Sequence, residues 1–245
     1  MGINRKQMKA DARLAMREHK PSIYLITLVF LLVTTVLEVL SVKLTLPGLS
    51  FRELLTVYSM EELPDWALQL SMHRSGFSRI LELALSFMSA VLALGFTGVC
   101  LSVSRRLEAG YSSLLDAFGF FFKALWLNIV TAFFITLWSL LLVIPGIVAA
   151  YRYSMARYVL LDDPGRSVMD CIRESKRLTA GHKGELFILD LSFLGWIILS
   201  AIPFVSLFTL PYMEVTRANY YNVLSGYQPE TPQLPEFPDS DSWWS

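Results

Sequence analysis

The chain has 245 residues, 54% of them hydrophobic and 17% charged, with a formal net charge of zero. A soluble domain carries about a quarter charged residues, and here the apolar residues come in long runs, so lipid is expected to surround much of the fold. Neutrality argues against a nucleic-acid partner, and two cysteines far apart, Cys100 and Cys171, argue against a disulfide framework.

The first segment, 1–21, is basic, and Met8, Ala12 and Met16 are spaced as one apolar helical face. It suits an anionic inner membrane surface, or serves as a topology signal flanking the first span. No cleavable signal is read in it, since the apolar run that follows lacks a small-x-small cleavage site. A membrane domain then extends over 22–224, with spans expected at 22–42, 80–103, 125–144, 147–161, 186–202 and 204–221. About 20 helical residues cover the roughly 30 Å of hydrocarbon. The fourth span is short and carries Arg152 and Arg157.

Between the first two spans, the loop 43–79 holds short helical cues, Ser50 before Phe51, Leu54 and Leu55, and Pro64 before Asp65-Trp66. Short helices on the outer interface are expected there. Ser113-Leu114-Leu115-Asp116 resembles a capping box, with Asp in place of Glu or Gln, and predicts a helix start leading into the third span. Over 167–178, Val168, Cys171, Ile172, Ser175 and Leu178 share one face of an amphipathic helix that Gly181 is placed to end. Such a helix would lie on the inner leaflet. The tail, 225–245, is rich in proline and acid, has no basic residue and ends in Trp243-Trp244-Ser245. It is expected to be disordered, with a docking motif for a protein partner as one use.

Two apolar blocks are each broken by a proline, at Ile144-Pro145-Gly146 and Ile202-Pro203-Phe204. Proline cannot continue the hydrogen-bond ladder and glycine is free to take positive φ, so tight hairpin turns are expected at Pro145-Gly146 and Pro203. Lys and Arg crowd the N-terminal segment, the loop after the second span and the loop between the fourth and fifth. The positive-inside rule then sets both termini in the cytoplasm and both proline turns outside. The fold class is an all-α, polytopic membrane bundle of about six spans with two proline-turn hairpins.

Ionised residues inside spans are costly, about 2.5 to 3.5 kcal/mol each at mid-membrane, unless paired. Glu38, Glu82 and Arg152 fall in an outer layer; Arg157, Asp190 and Arg217 in an inner one; Glu214 lies nearer the middle. Each layer holds both signs, so Arg152 is expected to pair with Glu38 or Glu82, and Arg157 and Arg217 to share Asp190 and Glu214. These seven form a candidate intramembrane polar cluster, read as structural ion pairs or as the lining of a polar cavity.

Several motifs between 142 and 224 carry a family resemblance. They are Ile144-Pro145-Gly146, Tyr151, Tyr153-Ser154-Met155-Ala156, Ser175-Lys176-Arg177-Leu178, Gly181-His182-Lys183, Leu186-Phe187, Leu191-Ser192-Phe193, Gly195-Trp196, Pro211-Tyr212 and the aromatic end from Ala218 to Tyr221. In this order they resemble the bacterial integral membrane family called domain of unknown function nine-seven-five. A more distant likeness is to the membrane domain beside some glycerophosphodiester phosphodiesterases. The resemblance implies a multi-span protein of the bacterial cytoplasmic membrane and brings no catalytic residue.

No Walker loop, His-Glu-x-x-His, Gly-x-Ser-x-Gly or cysteine-histidine cluster is present, so an enzyme is not expected. His19, His73 and His182 are scattered and make no metal site, and no cofactor is called for. The expected partners are membrane lipids and, through the tail, a protein. Two readings stay open: a structural or regulatory envelope protein, or a transporter or channel-like subunit with a cytoplasm-facing cavity for an anion, lipid headgroup or small solute.

Overall fold

The structure, a computed structural model, describes residues 5–45, 76–200 and 203–227. Most of the loop 43–79 and nearly all of the tail 225–245, with the expectations placed on them, lie outside the described residues. Every regular element described is helical: α1 (Arg5–Glu18), α2 (Ile23–Thr45), α3 (Gly76–Ser104), two 3-10 turns (Ser112–Leu114 and Asp116–Phe120), α4 (Phe121–Leu141), α5 (Val143–Tyr153), α6 (Ala156–Asp162), α7 (Val168–Leu178), α8 (Lys183–Leu191), α9 (Leu194–Leu199) and α10 (Pro203–Ser225).

Among the described residues, three stretches are long and apolar enough to cross a membrane: Ile23–Leu44, Gly76–Ser104 and Ser112–Leu141, of 22, 29 and 30 residues and mean hydropathy 2.5, 2.0 and 1.9. They cover the first three expected spans. Their outward faces carry Leu28, Leu32 and Val36 on α2 and Phe122, Phe133 and Leu140 on α4, all exposed. A continuous apolar exterior of this kind suits lipid.

The segments expected as fourth and fifth spans are each two short helices. The fourth breaks at Ser154-Met155 between α5 and α6, and the fifth at Ser192-Phe193 between α8 and α9. Both breaks carry the same local hydrogen bond. The Ser154 hydroxyl donates to the Tyr151 carbonyl at 2.9 Å, and the Ser192 hydroxyl donates to the Leu189 carbonyl. A serine bonding back to its own turn competes with the helical ladder. The sixth segment, α10, is a 23-residue helix with Pro211 inside it and with Glu214, Arg217, Asn219 and Asn222 in its second half.

The reversal between α4 and α5 differs in detail from a Pro-Gly turn. Leu142 is the extended residue, at φ −163° and ψ 147°, and Pro145 sits in the first turn of α5, where its missing N–H costs nothing. Gly146 does not take positive φ; among the described residues Gly181 and Gly226 are the glycines that do. What Gly146 supplies is proximity: a Cβ there would lie 2.8 Å from Ser139 Cα. The helices of this hairpin therefore touch backbone to side chain. The second corner, at 201–202, lies outside the described residues, and Pro203 is the first residue of α10.

Two buried clusters hold the bundle. One joins α1, α2, α3 and α10 through Met16, Ile23, Ile26, Val99, Val103 and Val215, with Phe30 and Phe96 stacked at 4.6 Å. The other centres on Met155 and on α6, where Ala156, Tyr158, Val159 and Leu160 are all buried. Gly95 lets the first 3-10 turn cross α3, since a Cβ there would lie 2.8 Å from the Leu114 carbonyl carbon. That crossing replaces the expected capping box. Tyr111 caps the turn without a side-chain bond, and Ser113 instead accepts from the Gly110 N–H at 3.3 Å.

Met8, Ala12 and Met16 of α1 are 5%, 0% and 4% exposed, so this face is covered by protein rather than by a membrane surface. α1 packs mainly on α10, and the Asn219 amide donates to the Met8 carbonyl at 3.3 Å. Burying each methionine contributes about 1.5–3 kcal/mol. α7 likewise turns Val168, Cys171, Ile172, Ser175 and Leu178 into the protein, against α4, α5 and α6. Its Ser167 cap accepts from the Asp170 N–H at 3.2 Å. The Ser175 hydroxyl donates to the Arg152 carbonyl at 2.9 Å and so ties α7 to the end of α5. Past its end, Gly181 takes a φ of +84°.

Candidate functional site

The breaks in the fourth and fifth segments build the site. Turning the chain at Ser154-Met155 starts α6 with Ala156, and Arg157 projects toward α10. Asp190 lies in the last turn of α8, just before the Ser192 break, and Glu214 and Arg217 are one turn apart on α10.

These four side chains form one connected network. Arg217 donates from Nε and NH2 to Asp190 Oδ1 at 3.1 and 2.9 Å, and from NH1 to Glu214 Oε1 at 3.3 Å. Arg157 NH2 lies 3.5 Å from Glu214 Oε2, and the Tyr158 hydroxyl donates to the same oxygen at 3.3 Å. α6, α8 and α10 are thereby cross-linked by charge. Arg217 bridges both acids, while Arg157 reaches one of them. The Arg157 Nε is buried and has no hydrogen-bond partner among the described residues.

The network forms part of the wall of a cavity of about 480 Å³. Arg157, Asp190, Arg217 and Tyr151 line it from α5, α6, α8 and α10, and Leu127, Ile135, Ile147 and Ala150, with the neutral Asn128 and Thr131, from α4 and α5. The Arg157 side chain is 38% exposed and that of Glu214 15%. Arg157 is among the residues lining the cavity and its Nε is shielded, so the accessible part of its guanidinium opens on this space. Arg157, Asp190 and Arg217 line a mainly apolar chamber, with Glu214 bound behind them, and such a site can hold a charged or dipolar group.

Residues 139–228 match the model of a family described as protein of unknown function, DUF975. The match covers 90 of the 245 residues. All four charges of the network lie inside it, whereas Leu127 and Ile135 of the opposite wall lie before it. Neither a curated protein nor a solved structure matches this chain.

The outer layer of charges is not assembled in the same way. Arg152 is exposed near the end of α5, which packs on α4, α7 and α8. Among the described residues no ion pair joins it to Glu38 or Glu82. Glu38 is exposed on α2 and Glu82 half-buried on α3, and each has an interaction of its own.

A second network escaped the sequence reading. Asp162, ending α6, accepts from Arg105 NH1 and NH2 at 2.6 and 2.9 Å and from the Tyr221 hydroxyl at 2.6 Å. Arg105 Nε donates to the Asn222 side chain at 2.9 Å, whose amide donates to Ser104 at 2.9 Å. The ends of α3, α6 and α10 are thus bound together. The signal lay in position: Arg105, Asp162 and Tyr221 each close an expected span, the second, fourth and sixth.

A third group joins α8 and α10 near the start of the fifth segment. Glu185 accepts from the Tyr220 hydroxyl at 3.0 Å and lies 3.2 Å from His182 Nδ1. The His182 contact, opposed by partial burial and aided by Tyr220, holds the Glu185 carboxyl below the usual carboxylate range.

Proposed function

We propose that the protein crosses the bacterial cytoplasmic membrane six times with both termini inside, and acts by binding rather than by catalysis, as a structural or regulatory element of the envelope. The observation that carries this reading is the charge network set in the wall of a chamber within an apolar helix bundle. Burying four ionised groups is costly even when they are paired. The broken segments fit crossing as half-helices, because irregular backbone at membrane depth is tolerated where it is buried in protein or lines a cavity. The meeting of the ends of α3, α6 and α10 supports parallel crossings by the second, fourth and sixth segments. Lys123, near the start of α4, donates to the Pro164 carbonyl just after α6, as an in-out-in hairpin requires. The cavity itself favours one further reading, a transport subunit whose solute passes through it.

Topology is tested by placing single cysteines at Val143 and at Phe204 in a chain lacking Cys100 and Cys171, and labelling intact cells with an impermeant maleimide. Both positions are expected to label from outside; labelling only after the membrane is opened would overturn the six-crossing arrangement. Asp190→Arg and Arg217→Asp are each expected to lower membrane yield, and the pair together to recover part of it. Failure to recover would remove the structural role from this ion pair.

A further inference from the structure

We propose that the cavity is a site for a singly charged oxyanion carried on an apolar tail, with Arg157 as the docking cation. The proposal deepens the binding reading above and rests on it.

The four charges are not equally committed. Arg217 uses Nε, NH2 and NH1 on two carboxylates. Asp190 is held by Arg217, and Glu214 is shared by Arg217, Arg157 and the Tyr158 hydroxyl. Arg157 has a single contact to a carboxylate, at 3.5 Å, and a buried Nε with no partner among the described residues. A buried donor left unpaired is unfavourable, and more so on a charged group. The accessible terminal nitrogens of Arg157, held only by the 3.5 Å contact to Glu214, are what an incoming oxygen anion would meet, and guanidinium binds phosphate and carboxylate oxygens through paired donors.

Arg157 is also held ready for such a group. Its guanidinium carbon lies 5.1 Å from the centroid of the Tyr158 ring, and Tyr158 is itself buried against Tyr221, with ring centroids 5.2 Å apart. The cation therefore has a supported position rather than a free arm. The charge is expected to be single, because one cation of the four groups has donors to spare. A doubly charged ligand would bring a second charge with no counter-ion beside the two acids.

The opposite wall decides the rest of the ligand. Leu127, Ile135, Ile147 and Ala150 are apolar, and Asn128 and Thr131 beside them are neutral, so this side offers no charge. A freely hydrated inorganic ion gains nothing from them, whereas a hydrocarbon tail is removed from water along them. A volume of about 480 Å³ is in the range of small-molecule sites and takes a headgroup with the start of its chain. Two sources offer this chemistry: the phosphodiester headgroup of an anionic lipid, and a free anion from solution.

The test uses the full-length protein in phosphatidylcholine nanodiscs, its thermal midpoint being read with and without added phosphatidylglycerol, and separately with inorganic phosphate. Phosphatidylglycerol is expected to raise the midpoint by roughly 5 °C. That gain should vanish in Arg157→Gln and in Ala150→Leu, which fills the chamber and leaves the arginine in place. Arg173→Gln, on an exposed face of α7, should keep it. Inorganic phosphate is expected to have no effect; a rise with phosphate alone, lost in Arg157→Gln, would keep Arg157 as docking cation but assign the site to a free solute and remove the tail. The proposal is overturned if neither probe raises the midpoint of the wild type, or if Arg157→Gln and Ala150→Leu keep the full gain. The cysteine-labelling result is independent of this one, so a failed binding test with intact topology sinks only the ligand.

Discussion

Replacing Asp162 by Asn keeps the shape of the side chain and removes its charge, which isolates what that charge does where α3, α6 and α10 end. In the folded protein Asp162 accepts both terminal nitrogens of Arg105, at 2.6 and 2.9 Å, and the Tyr221 hydroxyl at 2.6 Å. The Arg105 side chain is 12% exposed and that of Asp162 28%, so water replaces little of the lost charge. Breaking a fully buried pair from one side costs about 3–5 kcal/mol. Here Arg105 keeps Asn222 at 2.9 Å and the ring of Tyr227 at 4.0 Å, and the new amide oxygen still accepts one bond. The expected loss is therefore about 2 kcal/mol, or roughly 4–8 °C in thermal midpoint for a chain of this length. Cys100 and Cys171 are both fully buried, so reaction with a fluorogenic maleimide during heating reads the loss of fold directly. Arg105→Gln should cost a similar amount, and the double variant less than the sum by about 1–2 kcal/mol. A midpoint within about 1 °C of wild type for Asp162→Asn, or strict additivity in the double, would refute the argument that this pair binds the three helix ends together.

Gly95→Ala should be strongly destabilising, because the added Cβ meets the backbone of Leu114 rather than a movable side chain. Gly119→Ala, with nothing within 4 Å of the new Cβ, is the matched control and should leave folded yield in mild detergent unchanged. The Glu185 carboxyl is held below its ordinary value of 4.5, so its contribution to stability is present above that pH and fades as the pH falls through the lower folded value. Glu185→Gln should flatten that part of a melting-versus-pH series below about pH 4.5 and leave the neutral region unchanged in slope. A wild-type curve already flat there would remove the His182–Glu185–Tyr220 group as a source of acid sensitivity.

The three longest apolar helices could be read from hydropathy because burial in lipid and burial in protein ask for the same residues. The face of α7 was equally legible: five apolar or small residues at helical spacing are the ones that turn inward. Spacing does not say what covers such a face, and for α1 the cover is α10 rather than a membrane. The residues of the charge network were visible as ionised positions within oily segments, with Arg157 and Arg217 expected to share Asp190 and Glu214, but which cation reaches which acid was not. Arg217 reaches both acids and Arg157 reaches Glu214 alone, an assignment that depends on how α6, α8 and α10 pack. The Asp162 network went unseen because each member, taken alone, looks like an ordinary residue at the end of a span.

Composition and the order of apolar blocks were enough to establish the helical character of the described residues, with stretches suited to a bilayer, since the solvent around a helix selects its residues one at a time. Which charges meet, where a chamber remains open, and that Gly146 and Gly95 serve close approach rather than a left-handed turn depend on contacts between segments distant along the chain. Those contacts arise from how bent helices pack, a property of pairs and triples of surfaces that no single stretch of residues contains.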